Sequence, residues 1–554
     1  MDSELTKDIA ELLHLPPRKN LSFHLVLLFA VLPIWSVIPI SWGFVAYCLF
    51  SCSIWTFAWY GKLLFAWALC EVIFSVYLYG LARLVSRPHS HGPISLTELQ
   101  CAFKRSLQAG LASLPKEGSE EEDGGRPSSP TEDIVALEFD DPRAVDFRNY
   151  MRTWCVPGHI TPRVRSLNRS LLLRFGKVPW SSIRRHEMYA WLYWYIYNAP
   201  FTSLESLSDA EKTILQDALS LIEKRAGTSI SEGSNLDSSP LLLTLDPINV
   251  AWRPLVWYAF VAISNHIIRR DLQMKWNVKS DSYNGLQYLL HMPRSWSPET
   301  GPRPIVFIHG LGLGLLQYIV FLTQLLRAVP DRPVLILLHP HVSQDIFNRR
   351  FLKPMNRHES AECLAGLLRE LGWVEQCSAE NEEKSEKQET QAHRPSGVTV
   401  ISHSSGSFTH AWMLKAYPEM IRRSCFVDPV TFCSWEGDLC YNFIYRRSVN
   451  GLELLMKYFV GMELGVANFL QRHFDWHANS LWLQDIPNAY DPSKTKFFLG
   501  GKDSVVDAER VKRYLTSHGI RKGLWFDPDG RHGQALLTGG EGLKEILRWL
   551  RESS

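Results

Sequence analysis

Residues 397–407, Gly-Val-Thr-Val-Ile-Ser-His-Ser-Ser-Gly-Ser, decide how the chain reads. From Val398 to Ile401 the residues suit a strand buried on both faces. The run passes without a linker into Ser402-His403-Ser404-Ser405-Gly406 and then into a helical stretch ending near residue 416. Small residues two before and two after Ser404 allow a tight strand-to-helix turn that lifts the central side chain clear of the sheet. Ser402 stands where glycine is commoner, and serine is small enough to serve. The serines at 402, 405 and 407 lack this register. Ser404 is therefore the candidate nucleophile, and the Ser405 N–H at the helix start is a candidate oxyanion donor.

A nucleophilic serine needs a base, an acid to orient the base, and a second donor. Upstream, the run Pro-Ile-Val-Phe-Ile ends in His309-Gly310-Leu311-Gly312-Leu313-Gly314. Gly310 and Gly312 let this loop turn beside the elbow, so the Leu311 N–H is the second candidate donor, and His309 reads as a structural hydrogen-bonding residue. The loop has neither GxGxxG nor a GK[ST] ending, which argues against dinucleotide or P-loop binding. Downstream, Asp503 follows the run 495–500, and His532 lies in Asp-Gly-Arg-His-Gly after 523–527. Serine, acid and histidine then follow one another in chain order. Asp428, at the end of 423–428, is the alternative acid; Asp507 reads as a helix-face charge.

From about Gly285 short β-rich runs alternate with helices. Strands are expected at 286–292, 304–309, 333–339, 398–403, 423–428, 495–500 and 523–527. Helices are expected at 314–328, 358–371, 406–416, 504–517 and 541–552. This is the rhythm of an α/β domain with a mostly parallel, doubly wound sheet. The acidic tract 378–396 reads as a disordered insertion. Residues 430–487 read as a helical cap whose aromatic side chains would either suit an apolar acyl chain or seal the cap against the body. His473 and His477, four apart without a carboxylate set, read as packing or capping residues, and no metal is expected.

The VISHSSGS, FIHGLGLG, LGGKDSVVD and DGRHG segments together resemble the α/β-hydrolase superfamily, in its serine esterase and lipase-like branch. The resemblance covers about 285–552, roughly half the chain, and the overall layout is similar to membrane-anchored fungal α/β hydrolases. It implies an α/β-hydrolase fold and an acyl-enzyme mechanism without a cofactor. A serine at the elbow argues against the epoxide-hydrolase and dehalogenase branches, which carry aspartate there.

The first half of the chain has a different composition. Between Leu21 and Ala82 the only Asp, Glu, Lys, Arg or His side chains are His24, Lys62 and Glu71. This is too long for one crossing of about 20 residues. Breaks at Pro39–Gly43 and Tyr60–Lys62 predict helices at 21–38, 44–60 and 63–82, or a two-helix hairpin if the first break is only a kink. The length of the run, and the acidic arm before it, argue against a cleaved signal peptide. Arg18 and Lys19 before the block and Arg83, Arg87, Lys104 and Arg105 after it favour an even number of crossings with both ends cytosolic. Glu71 is expected to pair with a neighbouring helix, face a cavity, or lie near the interface.

The resulting layout is an arm at 1–20, a transmembrane region at 21–84, a partly disordered linker at 85–134, a helical accessory region at 135–270 and the α/β domain at 271–554. In the accessory region Ser208 to Glu211 forms a capping box before an apolar face of Ile214, Leu215, Ala218, Leu219 and Ile222. The chain has 554 residues, with 59 Lys and Arg against 57 Asp and Glu; without a basic run, nucleic acid is not an expected partner. Ten cysteines without a CxxC pair suggest a reducing compartment. The expectation is an integral protein of the endoplasmic reticulum or another endomembrane that acts on an apolar, lipid-like ester. Acyl transfer by the same residues, or a non-catalytic interaction role on this scaffold, are the alternatives.

Overall fold

The computed structural model describes residues 18–51, 53–87, 95–109, 134–157, 178–374 and 397–552. The acidic linker tract at 113–133 and the expected insertion at 378–396 lie outside them. By its contacts the chain divides into two compact units. One contains the N-terminal helices, the region to Ala259, and Trp435–His477. The other contains Phe260–Ser434 and the chain from Ala478 onward. The middle of the expected 430–487 cap thus groups with the N-terminal helices.

The second unit is built on eight strands: β1 (Lys279–Tyr283), β2 (Leu286–His291), β3 (Ile305–Ile308), β4 (Val334–Leu338), β5 (Val398–His403), β6 (Ile421–Val427), β7 (Thr495–Gly500) and β8 (Leu524–Asp527). Their spatial order is β8-β7-β6-β5-β3-β4-β2-β1. β2 runs antiparallel to both its neighbours, and β3 to β8 are mutually parallel. The central strands are buried along their whole length, as their continuous apolar runs require. One face carries α8 (Ile319–Ala328) and the terminal α13 (Glu541–Arg551), which pack with Ile305, Ile336, Ile401 and Cys425 in one core. Also in this unit are α9 (Arg357–Glu370), α10 (Gly406–Ala416) and α12 (Ala508–Ser517).

β1 was not expected. All five of its residues are exposed or half-buried, and an edge strand with one partner needs no apolar run. The helix expected at 504–517 starts later, at Ala508. Asp507, read as a helix-face charge, is instead its N-cap, accepting the Arg510 N–H at 3.0 Å.

In the first unit the apolar block forms two helices and not three: α1 (Leu21–Phe50, with a π turn at Leu27–Val31) and α2 (Trp59–Val85). Both are long and apolar enough to cross a membrane. The helix continues through Pro39, so the expected first break is absent. An apolar stretch gains from keeping its remaining backbone bonds internal, which favours a continuous helix over an open turn. Trp42 Nε1 donates to Ser75 Oγ at 3.0 Å between α1 and α2. Within the expected linker 85–134 lies a helix, α3 (Leu96–Gln108), whose Leu99, Ala102, Phe103 and Leu107 are buried. The accessory region contributes α4 (Pro142–Met151), α5 (Arg185–Tyr197) and α6 (Asp209–Ala226), and α6 has the expected capping box. α7 (Leu255–Trp276) begins in this unit. Glu71, in the middle of α2, accepts the Leu255 and Val256 amides at 2.6 and 2.8 Å, so its carboxylate meets the N-terminus of α7.

Candidate active site

The parallel strands end side by side, and the loops that follow them bring the predicted residues together. After β5 the chain turns through Ser404 at φ +52° and enters α10 with Ser405 as its N-cap. A left-handed conformation at a non-glycine residue costs about 1–3 kcal/mol and persists only where the surroundings enforce it. Here the Ser404 N–H donates to Val427 O at 3.0 Å, and the Ser407 hydroxyl donates to Ser404 O at 2.6 Å. Gly406 is demanded by space, because a Cβ there would lie 2.3 Å from Ile308 O. Ser402, the small residue of the motif, is fully buried and bonded to His410 Nδ1 at 2.9 Å.

His532, in the loop after β8, places Nε2 2.9 Å from Ser404 Oγ. Its Nδ1 lies 2.6 Å from Oδ2 of Asp503, in the loop after β7. The other Asp503 oxygen accepts the Val505 and Val506 amides at 2.7 and 3.1 Å, which fixes the carboxylate. Burial alone would pull the His532 imidazole below its ordinary range. The charge and hydrogen bond of Asp503, with Asp428 behind, outweigh burial and raise it. An imidazole so held can receive the hydroxyl proton at Nε2 while Nδ1–H stays on the carboxylate.

Asp428, the alternative acid, has a different position. It is 2% exposed, at φ +42°, and its oxygens accept the Gly500 amide at 3.0 Å and the Gly533 amide at 2.6 Å. It ties the Asp503 loop to the His532 loop, and burial pushes its carboxyl up.

The Gly-rich loop after β3 lies against the elbow. A Cβ on Gly310 would be 2.7 Å from Ser404 Cβ, so only glycine permits this approach. The loop is pinned at several points. Gly310 N donates to Tyr318 Oη at 2.9 Å, Gly312 N to Val342 O at 2.9 Å, and Leu313 N to Gln317 Oε1 at 3.0 Å. Neither the Leu311 amide nor the Ser405 amide donates to a protein acceptor among the described residues. His309 is buried: its Nδ1 meets Gly310 O at 2.8 Å, its Nε2 accepts the His339 amide at 3.2 Å, and burial lowers it to about 4.

Two side chains at the site escaped the sequence reading. Tyr318 accepts from Gly310 N while its hydroxyl lies 2.6 Å from His403 Nδ1, joining the Gly-rich loop to the residue before Ser404. Burial holds His403 neutral, well below the usual imidazole range. No local signal marks Tyr318; its partner lies 85 positions away. Beside this region a cavity of about 400 Å³ is lined by Val261, Ile263, Leu315, Leu338 and Pro340, with Arg269 and His339 among its polar walls.

The sequence matches no family model and no curated protein. Solved structures similar to it include a membrane phospholipase A described as a bacterial virulence factor, with 14% identity over 54% of this chain and 96% of that one (TM-score 0.34). An esterase of Pyrococcus furiosus shares 12% identity over 51% of this chain and 93% of its own (TM-score 0.31). The naproxen esterase of Bacillus subtilis shares 12% over 52% and 98% (TM-score 0.32). The strand order with a single antiparallel interior strand, the left-handed turn after β5, and the Asp503–His532 pair after β7 and β8 are those of one architecture. The C-terminal half of the chain has the α/β-hydrolase fold.

Proposed function

We propose that the protein is a membrane-anchored serine hydrolase that cleaves an apolar carboxylic ester through an acyl-enzyme. The observation that carries the reading is the continuous relay from Ser404 Oγ to His532 Nε2 (2.9 Å) and from His532 Nδ1 to Asp503 Oδ2 (2.6 Å), with the serine on a strained elbow. Ser404 Oγ attacks the ester carbonyl as its proton passes to His532 Nε2. The oxygen that becomes negative takes the amides of Leu311 and Ser405, which have no other protein acceptor among the described residues. Collapse breaks the C–O bond, and His532 gives its proton to the departing alkoxide. Water then attacks the acyl-enzyme, with His532 again as base, releasing the acid and restoring Ser404.

Two features support an apolar substrate met in a membrane. α1 and α2 are candidate spans with many exposed apolar side chains, and confinement to a bilayer raises the effective concentration of lipid-dissolved substrates. The cavity beside the oxyanion loop has an aliphatic wall. With two crossings and basic residues beyond each, both ends of the chain would face the cytosol.

The test is hydrolysis of p-nitrophenyl esters of increasing chain length by the full chain in detergent. A nitrophenolate burst equal to the enzyme, rising in kcat/KM with chain length and absent in Ser404→Ala, is expected. Turnover unchanged in Ser404→Ala would overturn the reading.

A further inference from the structure

The candidate active site uses the C-terminal ends of the parallel strands. At their N-terminal ends stand Arg423, Thr399, Arg303 and Arg332, one on or just ahead of each of the adjacent strands β6, β5, β3 and β4. Register relates them. Thr399 pairs with Arg423 and with Ile305, and Ile305 pairs with Val334. Arg303 and Arg332 each precede those last two residues by two. Paired residues of parallel strands share a face, as do residues two apart, so all four side chains belong to the face that α8 and α13 cover.

Arg332, Arg423 and Thr399 are buried and Arg303 is half-buried. Arg423 is firmly placed. Its Nε donates to Ser493 O and its Nη2 to Trp549 O, both at 2.9 Å, and its guanidinium lies 3.6 Å from the centre of the Trp549 indole. Yet Arg423 Nη1, Arg332 Nη1, Arg303 Nε and Thr399 Oγ1 are all buried without a hydrogen-bond partner among the described residues. Burial holds the three guanidiniums below the usual arginine range, with repulsion from Arg422 and Arg332 added for Arg303 and from Arg332 and Arg303 for Arg423.

No carboxylate forms an ion pair with the group among the described residues. Among the described residues Asp331 and Asp491 act on Arg332 and Arg423 through space, without an ion pair to them. Glu545 of α13 is engaged by Lys496 at 3.1 Å and by Arg548. Water could meet the unsatisfied N–H groups, but only an anion compensates buried positive charge.

We propose that this cluster is a binding site for a compact tetrahedral oxyanion of the phosphate class, separate from the Ser404 site. Guanidinium groups on neighbouring strands offer planar N–H pairs to several oxygens of one anion, and the Thr399 hydroxyl supplies a further donor. Thr399 and Ser404 lie at opposite ends of the β5 segment, about 17 Å apart at strand rise. An anion here would therefore brace the strand that bears the elbow. Free phosphate and the phosphate of a lipid headgroup share this chemistry. The proposal does not depend on the protein being a hydrolase.

Thermal unfolding of the full chain in phosphate-free detergent is the test, with phosphate or sulfate added against chloride at matched ionic strength. The wild type should gain a saturable rise of about 5 °C at a hundred times the dissociation constant, with phosphate and sulfate but not chloride. A parallel series in nanodiscs of phosphatidylcholine, with and without phosphatidic acid, distinguishes the sources. A rise only with phosphatidic acid assigns a lipid headgroup; a rise with inorganic phosphate assigns the free anion. Arg303→Gln, at the half-buried edge of the cluster, should weaken the response about tenfold. Arg332→Met removes one repelling charge, and should unfold above the wild type without phosphate and no longer respond to it. Absence of an oxyanion-specific rise in both arms, or a rise that Arg303→Gln leaves unchanged, would overturn the proposal; Arg303→Gln decides alone if Arg332→Met does not fold.

Discussion

Replacing Asp503 and Asp428 one at a time by Asn separates two carboxyls whose oxygens lie within 4.8 Å of a His532 nitrogen. In Asp503→Asn the retained Oδ1 still suits the Val505 and Val506 amides, so the new NH₂ turns toward His532 Nδ1. The imidazole must then accept at Nδ1 and carry its proton on Nε2, facing Ser404, where it cannot act as base. The expected loss is about 10⁴-fold in kcat, or about 5.5 kcal/mol. With the Asp503 charge gone, burial dominates and His532 ionises at lower pH. The acid limb of the kcat/KM profile, set by loss of the imidazolium proton, therefore moves down in pH even as the plateau collapses. Asp428→Asn is different in kind. It keeps one acceptor for the Gly500 and Gly533 amides and sets an NH₂ against the other, at a cost of about 1–3 kcal/mol in stability. Its kcat should fall by about tenfold or less, with a small downward shift of the limb, because Asp428 contributes least to raising His532. The assay is nitrophenyl ester hydrolysis from about pH 5 to 10, with thermal unfolding of each variant. A larger kcat loss in Asp428→Asn than in Asp503→Asn, or an acid limb that moves up in Asp503→Asn, would refute the assignment of the acid.

Tyr318→Phe leaves Gly310 N–H and His403 Nδ1 without their shared partner; unfolding should show a loss of about 1–3 kcal/mol, and kcat should fall more than KM rises. Gly310→Ala drives a methyl against Ser404 Cβ, so ester turnover should drop at least about a hundredfold while circular dichroism stays native. Glu71→Leu strips two amides at the start of α7 of their acceptor; detergent-solubilised protein should lose about 2 kcal/mol or more against unfolding, and Glu71→Gln should recover part of it.

The legibility of the chain followed burial. β3 to β7 were readable because strands covered on both faces are mostly apolar, and β5 and β7 fall at their expected residues. β1 was hidden because Lys-Ser-Asp-Ser-Tyr is polar on both faces; the readable signal was Asn284-Gly285, a two-residue turn with both φ positive. Helix α3 was masked by the acidic tract after it, although Leu99, Ala102, Phe103 and Leu107 carry helical spacing. Pro39 reads as a break because local propensity disfavours it, yet the helix continues through it with the loss of one backbone donor. Ser404, His532 and Asp503 were each readable from a strand end and a turn. Both aspartates follow strands, so the sequence does not separate them; in the structure Asp503 meets His532 Nδ1, whereas Asp428 accepts the Gly500 and Gly533 amides. Tyr318 and the arginine cluster depend on contacts between distant segments that no local pattern encodes.

The most direct measurement is labelling of the detergent-solubilised full chain with a fluorophosphonate, with the modified peptide located by mass spectrometry. The account predicts one adduct, on Ser404, formed by wild type, lost in Ser404→Ala, and slowed at least about a thousandfold in His532→Ala. An adduct on another serine, or labelling of Ser404 at wild-type rate in His532→Ala, would contradict it.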